Sequence, residues 1–360
     1  MTIASVVLRQ QADSTRKKLC EEASCIMKEA LYYESLDEDK VKCTLCPHNC
    51  IIRPDKTGIC GVRRNTRGTL YSLNYGVVTG LGFDPIEKKP LYHFHPGENI
   101  LSVGSMGCNM KCFFCQNWEI SQVSSSKMPD KSTHSVEDIV SLASNRSDNV
   151  GVAYTYNEPV IYYEFMRDVA REIQTLGMKN VMVTNGFINP KPLEELIPLM
   201  DAFSIDMKGF TDEFYRKHTR SSLEPIQEAI EQIGKSNAFL EITNLVIPSL
   251  NDQIGHFEEM VQWISEKLGR NTVLHISRYY PGYKSTIEPT SVSKLKEFYT
   301  LATQHLNYVY LGNVMLEDGS NTYCDHCGKL LVRRNGYYTR LTGLDGSGRC
   351  TNCGNKVFIR

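Results

Sequence analysis

From residue 98 onward short apolar runs alternate with longer amphipathic stretches, and no other feature of the chain restricts its fold as tightly. NILSVG (99–104), VGVAYT (150–155), NVMVT (180–184), AFSIDM (202–207), FLEITNLVI (239–247), VLHIS (273–277) and YVYLG (308–312) have the length and composition of buried strands. Between them VIYYEFMRDVAREIQTLG, KPLEELIPLM, LEPIQEAIEQIG, HFEEMVQWISEKLG and VSKLKEFYTLATQHL carry apolar residues at helical spacing. Such alternation implies an α/β fold of parallel strands joined by right-handed crossovers. Six or seven units over this length fit a partial (β/α)6 TIM-like barrel better than a closed eight-fold one. Reactive groups in a barrel gather at the carboxyl ends of the strands, so the loop after NILSVG is the first place to look.

The flanks differ. Residues 15–36 read as an amphipathic helix, and 43–75 as a loop-rich module with Pro54, Gly58, Gly61 and Gly68 that needs a metal to hold it together. The rhythm stops after Gly312. The expected division is an N-terminal helix and Cys-rich module over 1–97, a barrel over 98–312, and a ribbon-like module over 313–360. A net charge of -1 and a pI of about 6.8 argue against a dedicated polyanion binder. No apolar run approaches the roughly 20 residues of a membrane helix, and the start of the chain lacks an export signal, so the expected location is the cytoplasm.

The 13 cysteines cluster. In a cytoplasmic chain of this size they are expected to be reduced and to bind metals. Cys20 and Cys25 stand apart and read as buried structural thiols. Near the C-terminus, Cys324, Cys327, Cys350 and Cys353 form two CxxCG pairs, the pattern of a zinc ribbon, with a rubredoxin-like iron site as the alternative. The Arg and Tyr residues between those pairs read as a solvated hairpin or protein-docking surface, and nucleic acid is not the expected partner. Cys43, Cys46, Cys50 and Cys60 can close a site for zinc or for a second iron–sulfur cluster, with His48 as a substitute ligand. Cys108, Cys112 and Cys115, in CxxxCxxC spacing, cannot complete a four-ligand zinc site. A [4Fe-4S] cluster on three cysteines leaves one iron open to chelate the amino and carboxylate groups of a substrate.

CxxxCxxC after a first barrel strand resembles the radical S-adenosylmethionine (radical SAM) superfamily. The resemblance implies that the open iron binds S-adenosylmethionine, that an electron cleaves its sulfonium bond, and that the resulting 5'-deoxyadenosyl radical abstracts a hydrogen from the substrate. It implies a reductant such as ferredoxin or flavodoxin. The segments CTLCPHNC, TGICGVRRN, DPIEKKPLYHFHPG, TYNEP, VTNG, DMKG and SRYYP look like the radical SAM enzyme of the AmmeMemoRadiSam system, similar to pyruvate formate-lyase activating enzymes. That likeness implies partners of the Ammecr and Memo types.

Carried onto this sequence, Glu158 of TYNEP is placed to receive the cofactor's amino group, and Thr184 and Asn185 to contact its ribose or carboxylate. Asp206 and Lys208 are expected to face the cofactor. Ile247 and Pro248 form an apolar shelf for adenine, and His275 and Arg278 sit at the sixth strand. Phe114, the aromatic just before the third cysteine, is expected to shield the cluster and flank the adenine, with ordinary core packing as the alternative. Asp84, Glu87, Lys88, Lys89, His93 and His95 either line the site or belong to a solvated connection. No side chain is assigned as catalytic. The expected function is therefore a radical SAM oxidoreductase or transferase acting on a protein or small molecule, with glycyl radical installation as one form. The contrasting reading is a non-enzymatic zinc-binding protein or RNA docking module.

Overall fold

The computed structural model describes residues 28–123, 132–316 and 319–358. Strands β1 (Gly80–Pro85), β2 (Asn99–Gly104), β3 (Asn149–Tyr154), β4 (Lys179–Thr184), β5 (Ala202–Asp206), β6 (Phe239–Val246), β7 (Val273–Arg278) and β8 (Tyr308–Gly312) lie side by side in chain order. β1 runs antiparallel to β2 and every later pair is parallel. β8 does not pair with β1, so the barrel stays open.

Six crossovers carry the helices α1 (Val136–Ser144), α2 (Tyr163–Thr175), α3 (Pro190–Leu196), α4 (Glu224–Gly234), α5 (Ile254–Leu268) and α6 (Val292–His305). The sequence pattern missed α1, although Ser135 and Asp138 form a reciprocal capping box at its start. It also missed β1, whose two glycines and partly exposed side chains hide the strand alternation.

Strand side chains divide by parity, as pleating requires. Leu101, Met182, Phe203 and Ile242 pack with the helices. Ile100, Ala153, Val181 and Ala202 form a second core with Ile86, Leu91 and Phe94. The segment after β1 therefore plugs the amino end of the barrel and leaves the carboxyl end for chemistry.

Residues 28–36 are not the end of a helix. Lys28–Glu29 pairs with Thr69–Ser72, and Tyr33–Ser35 with Val41–Cys43, because the backbone there finds tertiary partners that override helical spacing. Residues 15–27, with Cys20 and Cys25, lie outside the described residues. The N-terminal strands are bolted to α2 by the buried pair Arg63 and Glu164, 2.9 Å apart. At the other end Thr322–Tyr323, Leu330–Asn335 and Tyr338–Leu341 form a three-stranded sheet around a small core of Leu331, Val332 and Phe358. It docks on the barrel through Arg334, which donates to the Tyr92 carbonyl, and His93, which stacks on Phe358. Among the described residues no helix is long and apolar enough to cross a membrane.

Candidate active site

The loop after β2 is held before any cofactor arrives. Asn157 accepts from the Ser105 amide and donates to the Gly107 carbonyl, so one side chain from the end of β3 clamps the loop at two points. Asn74 donates to the Met106 carbonyl. Gly107 has φ +84°, and a Cβ there would meet the Cys60 carbonyl oxygen at 2.7 Å, so only glycine permits this approach.

Cys108, Cys112 and Cys115 then open onto a cavity of about 770 Å³ with Phe114, Glu158, Thr184, Asn185, Asp206, Lys208 and Arg278. No histidine and no fourth cysteine is among the described residues that line it. Burial pushes the Cys112 thiol up to about 11, with Lys208 opposing, and holds Cys108 well above the usual thiol range. Thiols this reluctant to ionise become ligands when a bound cation compensates their charge. Three thiols at a strand end, Cys112 buried and Cys108 and Cys115 half-buried, with no histidine or fourth cysteine among the described residues beside them, fit a cluster with one open iron.

Glu158 is 3% exposed, and both its oxygens are taken: Thr184 Oγ1 at 2.6 Å and the Val160 amide at 3.1 Å bond one, the Asn185 amide at 2.8 Å the other. Burial raises its carboxyl to about 7, against these hydrogen bonds. Asn185 Nδ2 lies 2.9 Å from Asn109 Oδ1 and 3.9 Å from Cys108 Sγ, joining the β4 end to the thiol loop. Asp206 and Lys208 pair at 3.1 Å inside the cavity, while Met207 between them is fully buried. Burial lowers the Lys208 ammonium, but Asp206 and Cys112 outweigh it and hold it above the ordinary lysine range.

Other expected residues are placed differently. Ile247 and Pro248 do not line this cavity; Leu245 does. The strand ends at Val246 and turns back, with the Leu250 amide on the Ile247 carbonyl, which buries Ile247 instead of facing it inward. His275 is bonded to Glu241 at 2.6 Å and faces an adjoining inner cavity of about 230 Å³, which shares Lys88, Asp206, Lys208 and Leu245 with the main one. Arg278 reaches the main cavity, its Nε donating to the Thr290 carbonyl.

The connection after β1 has a mixed fate. Lys88 and Lys89 line the main cavity, and Glu87 the inner one. Asp84 collects Lys88 at 2.7 Å, Lys89 at 2.6 Å and Tyr156 Oη at 2.7 Å, bonds that outweigh burial and hold its carboxyl below the usual range. His93 is buried against Tyr310, and His95 is not among the residues that line the cavity. Tyr156 was not anticipated. It sits at φ +70° against Gly80 and Gly104, where a Cβ would come within 2.7 and 2.8 Å of its ring. The two bare strand positions are the signal that a bulky group fills the space.

The four ribbon thiols lie within 4.8 Å of one another, with Cys324–Cys353 and Cys327–Cys350 both at 3.6 Å. Thiolates around one tetrahedral ion with bonds of about 2.3 Å stand about 3.8 Å apart. Both turns share one geometry, Gly328 donating to the Cys324 carbonyl and Gly354 to that of Cys350, each at 2.8 Å.

An open parallel barrel whose first long loop presents three thiols to a strand-end cavity defines a protein of the radical SAM type. The Radical SAM superfamily model matches residues 102–264. An uncharacterized protein of Methanocaldococcus jannaschii is 43% identical over 336 residues, covering 92% of this chain and 99% of its own length. Pyruvate formate-lyase 1-activating enzyme of Escherichia coli is 24% identical over 148 residues, 41% of this chain and 60% of that protein. The (2S)-3-sulfopropanediol dehydratase activating enzyme of Klebsiella oxytoca is 25% identical over 121 residues, 33% of this chain and 38% of that one. The chain belongs to the radical SAM superfamily.

Proposed function

We infer that this chain is an enzyme that reductively cleaves S-adenosylmethionine at a cluster held by Cys108, Cys112 and Cys115, and directs the radical onto a protein or small-molecule substrate. The observation that carries the reading is that these three thiols share one cavity with Glu158, Asn185, Asp206 and Lys208, drawn from three other strand ends. Bound there, a [4Fe-4S] cluster supplies the single electron that opens the sulfonium bond.

The side chains supply position. Glu158, buried and already fixed by Thr184 and Asn185, gains charge stabilisation from an ammonium at that wall, which suits the amino end of the cofactor. Lys208 presents a cation for a carboxylate, steadied by Asp206. Phe114 and Leu245 offer apolar surface to the adenine. The bond network among Asn109, Asn157 and Asn185 holds the thiol loop still, so little ordering is left to occur on binding.

The motif set over 84–97 supports membership of the AmmeMemoRadiSam branch, from which Ammecr-type and Memo-type partners, a ferredoxin or flavodoxin reductant and a cytoplasmic location follow. Zinc is the ion we assign to the ribbon, on its sulfur spacing. A glycyl radical protein as substrate is the second reading, favoured by similarity to the pyruvate formate-lyase 1-activating enzyme.

The test is anaerobic reconstitution, dithionite reduction and quantitation of 5'-deoxyadenosine. Cys112→Ala is expected to lose the product by about a hundredfold or more. Undiminished product in that variant, or a colourless wild-type protein with zinc at every thiol group, overturns the assignment.

A further inference from the structure

Cys43, Cys46, Cys50 and Cys60 occupy the ground between the protein surface and the loop that carries Cys108. On the inner side the contact is direct. The Cys60 carbonyl packs on Gly107, and His48 Nε2 lies 2.7 Å from the Asn109 carbonyl oxygen. The residues that flank Cys108 on both sides thus touch the quartet's own loops. On the outer side Ile51 and Ile59, the sequence neighbours of Cys50 and Cys60, are 65% and 46% exposed, and Arg53 and Lys56 beside them are exposed cations.

The four thiols converge. Cys43 and Cys50 face each other across a hairpin, where the Cys43 amide donates to the Cys50 carbonyl at 2.9 Å, and the hairpin loop carries Cys46. Cys60 comes from a second turn, and the missing side chain of Gly58 leaves room for Cys50 Sγ, which would lie 3.6 Å from a Cβ there. The spacing of the four thiols differs from that of the ribbon: among the described residues only the ribbon brings three or more such ligand atoms within 4.8 Å of one another. A single tetrahedral ion demands that closeness. A cluster binds each cysteine on a different iron, so its ligand sulfurs stand farther apart.

We propose that Cys43, Cys46, Cys50 and Cys60 hold a second, redox-active iron–sulfur cluster that relays single electrons from a docked carrier protein to the three-cysteine site. The relay rests on the reading that Cys108, Cys112 and Cys115 hold a cluster. Each passage moves one electron and no atoms: a low-potential flavin or iron–sulfur carrier is oxidised by one electron at the Ile51–Ile59 face, and the three-cysteine cluster is reduced by one. Ile51 and Ile59 lie beside the exposed Arg53 and Lys56, and the one carboxylate between those cations, Asp55, is met by Arg64, which suits brief docking of an acidic carrier.

The experiment uses the full chain, reconstituted anaerobically with iron, sulfide and zinc all present. Cys108→Ala/Cys112→Ala/Cys115→Ala removes the first site only and is expected to retain about four irons and four sulfides. A variant holding no iron and a second zinc overturns the proposal. In Cys43→Ser/Cys50→Ser the ratio of flavodoxin-driven to dithionite-driven 5'-deoxyadenosine formation is expected to fall by about tenfold or more. Ile51→Glu/Ile59→Glu, which alters no thiol, is expected to lower the same ratio with iron content intact. An unchanged ratio in both variants overturns the relay. The iron count of the triple variant is independent of cofactor cleavage, so the two readings fail separately. A wild-type chain inactive with dithionite, whose triple variant still keeps iron, sinks the radical reading and the relay but leaves the second cluster standing.

Discussion

At the C-terminal end of the chain Cys324, Cys327, Cys350 and Cys353 close on a common centre, and Cys324 and Cys350 share a small core with Leu331, Val332 and Phe358. At the N-terminal end Cys43 and Cys60 are buried in the same core as the barrel helices, beside Leu45, Ile52 and Val62. A core of a few side chains cannot by itself repay the entropy of ordering the ribbon, so an ion held by the four thiols would supply most of the stability. The N-terminal module is held by packing and by one buried ion pair, and its thiols are free to serve another purpose.

The largest effect expected from this contrast comes from metal removal. Cys324→Ala, or chelation of the ribbon ion, forfeits stabilisation on the order of 10 kcal/mol. Hydrogen exchange across residues 322–358 is then expected to approach unfolded rates while the barrel amides stay protected. A ribbon that keeps its protection without metal breaks the comparison.

Next is the bolt at the other end. Arg63→Met leaves Glu164 buried without its cation and strips the Leu31 carbonyl of its donor. Such a loss costs about 3–5 kcal/mol, read as a lower urea midpoint. A shift under about 1 kcal/mol means that packing alone holds this module.

The ribbon's seat on the barrel supplies a pH test. His93, between Tyr310 Oη and the Val357 carbonyl, is lowered to about 4 by burial, with Arg334 and His275 adding repulsion against the attraction of Glu241. Unfolded histidine takes up its proton near 6.5, so between that pH and about 4 the unfolded chain binds a proton that the folded one refuses. Stability is therefore expected to fall as pH drops through this window, by roughly 3 kcal/mol at most. His93→Gln should flatten that part of the profile, and an unaltered profile contradicts the burial argument.

The smallest test compares two glycines. Gly107→Ala meets the Cys60 carbonyl as well as left-handed strain, whereas Gly328, at φ +72°, has nothing within 4 Å of its absent Cβ. Costs of about 2–3 and about 1 kcal/mol are expected by denaturation. Equal costs would show that the contact between the two thiol loops is soft.

Much of the barrel was legible because buried strands and amphipathic helices leave periodic patterns, and seven strands were read close to their observed limits. β1 escaped because an edge strand with two glycines has no alternation to read. In the site, Cys108, Cys112, Cys115, Phe114, Glu158, Thr184, Asn185, Asp206, Lys208 and Arg278 come together at one cavity as residues at strand ends should. Ile247, Pro248 and His275 do not join them, because each depends on where a strand stops or which neighbour claims a ring nitrogen. The plug formed by Ile86, Leu91 and Phe94 left no local trace.

By itself the sequence determined seven strands and five helices of the barrel and the three thiol groups, since each follows from spacing along the chain: strand period, helical period, cysteine interval, glycine after a CxxC turn. Only the tertiary structure decided that the loop of Cys60 lies against Gly107, that the segment after β1 closes the amino end of the barrel, and that Asp84 gathers two lysines and a tyrosine. Apart from the two lysines, which follow Asp84 by four and five residues, those are contacts between residues far apart in the chain. Their energy comes from burial and charge pairing across the fold, and no local pattern records which distant partner will be met.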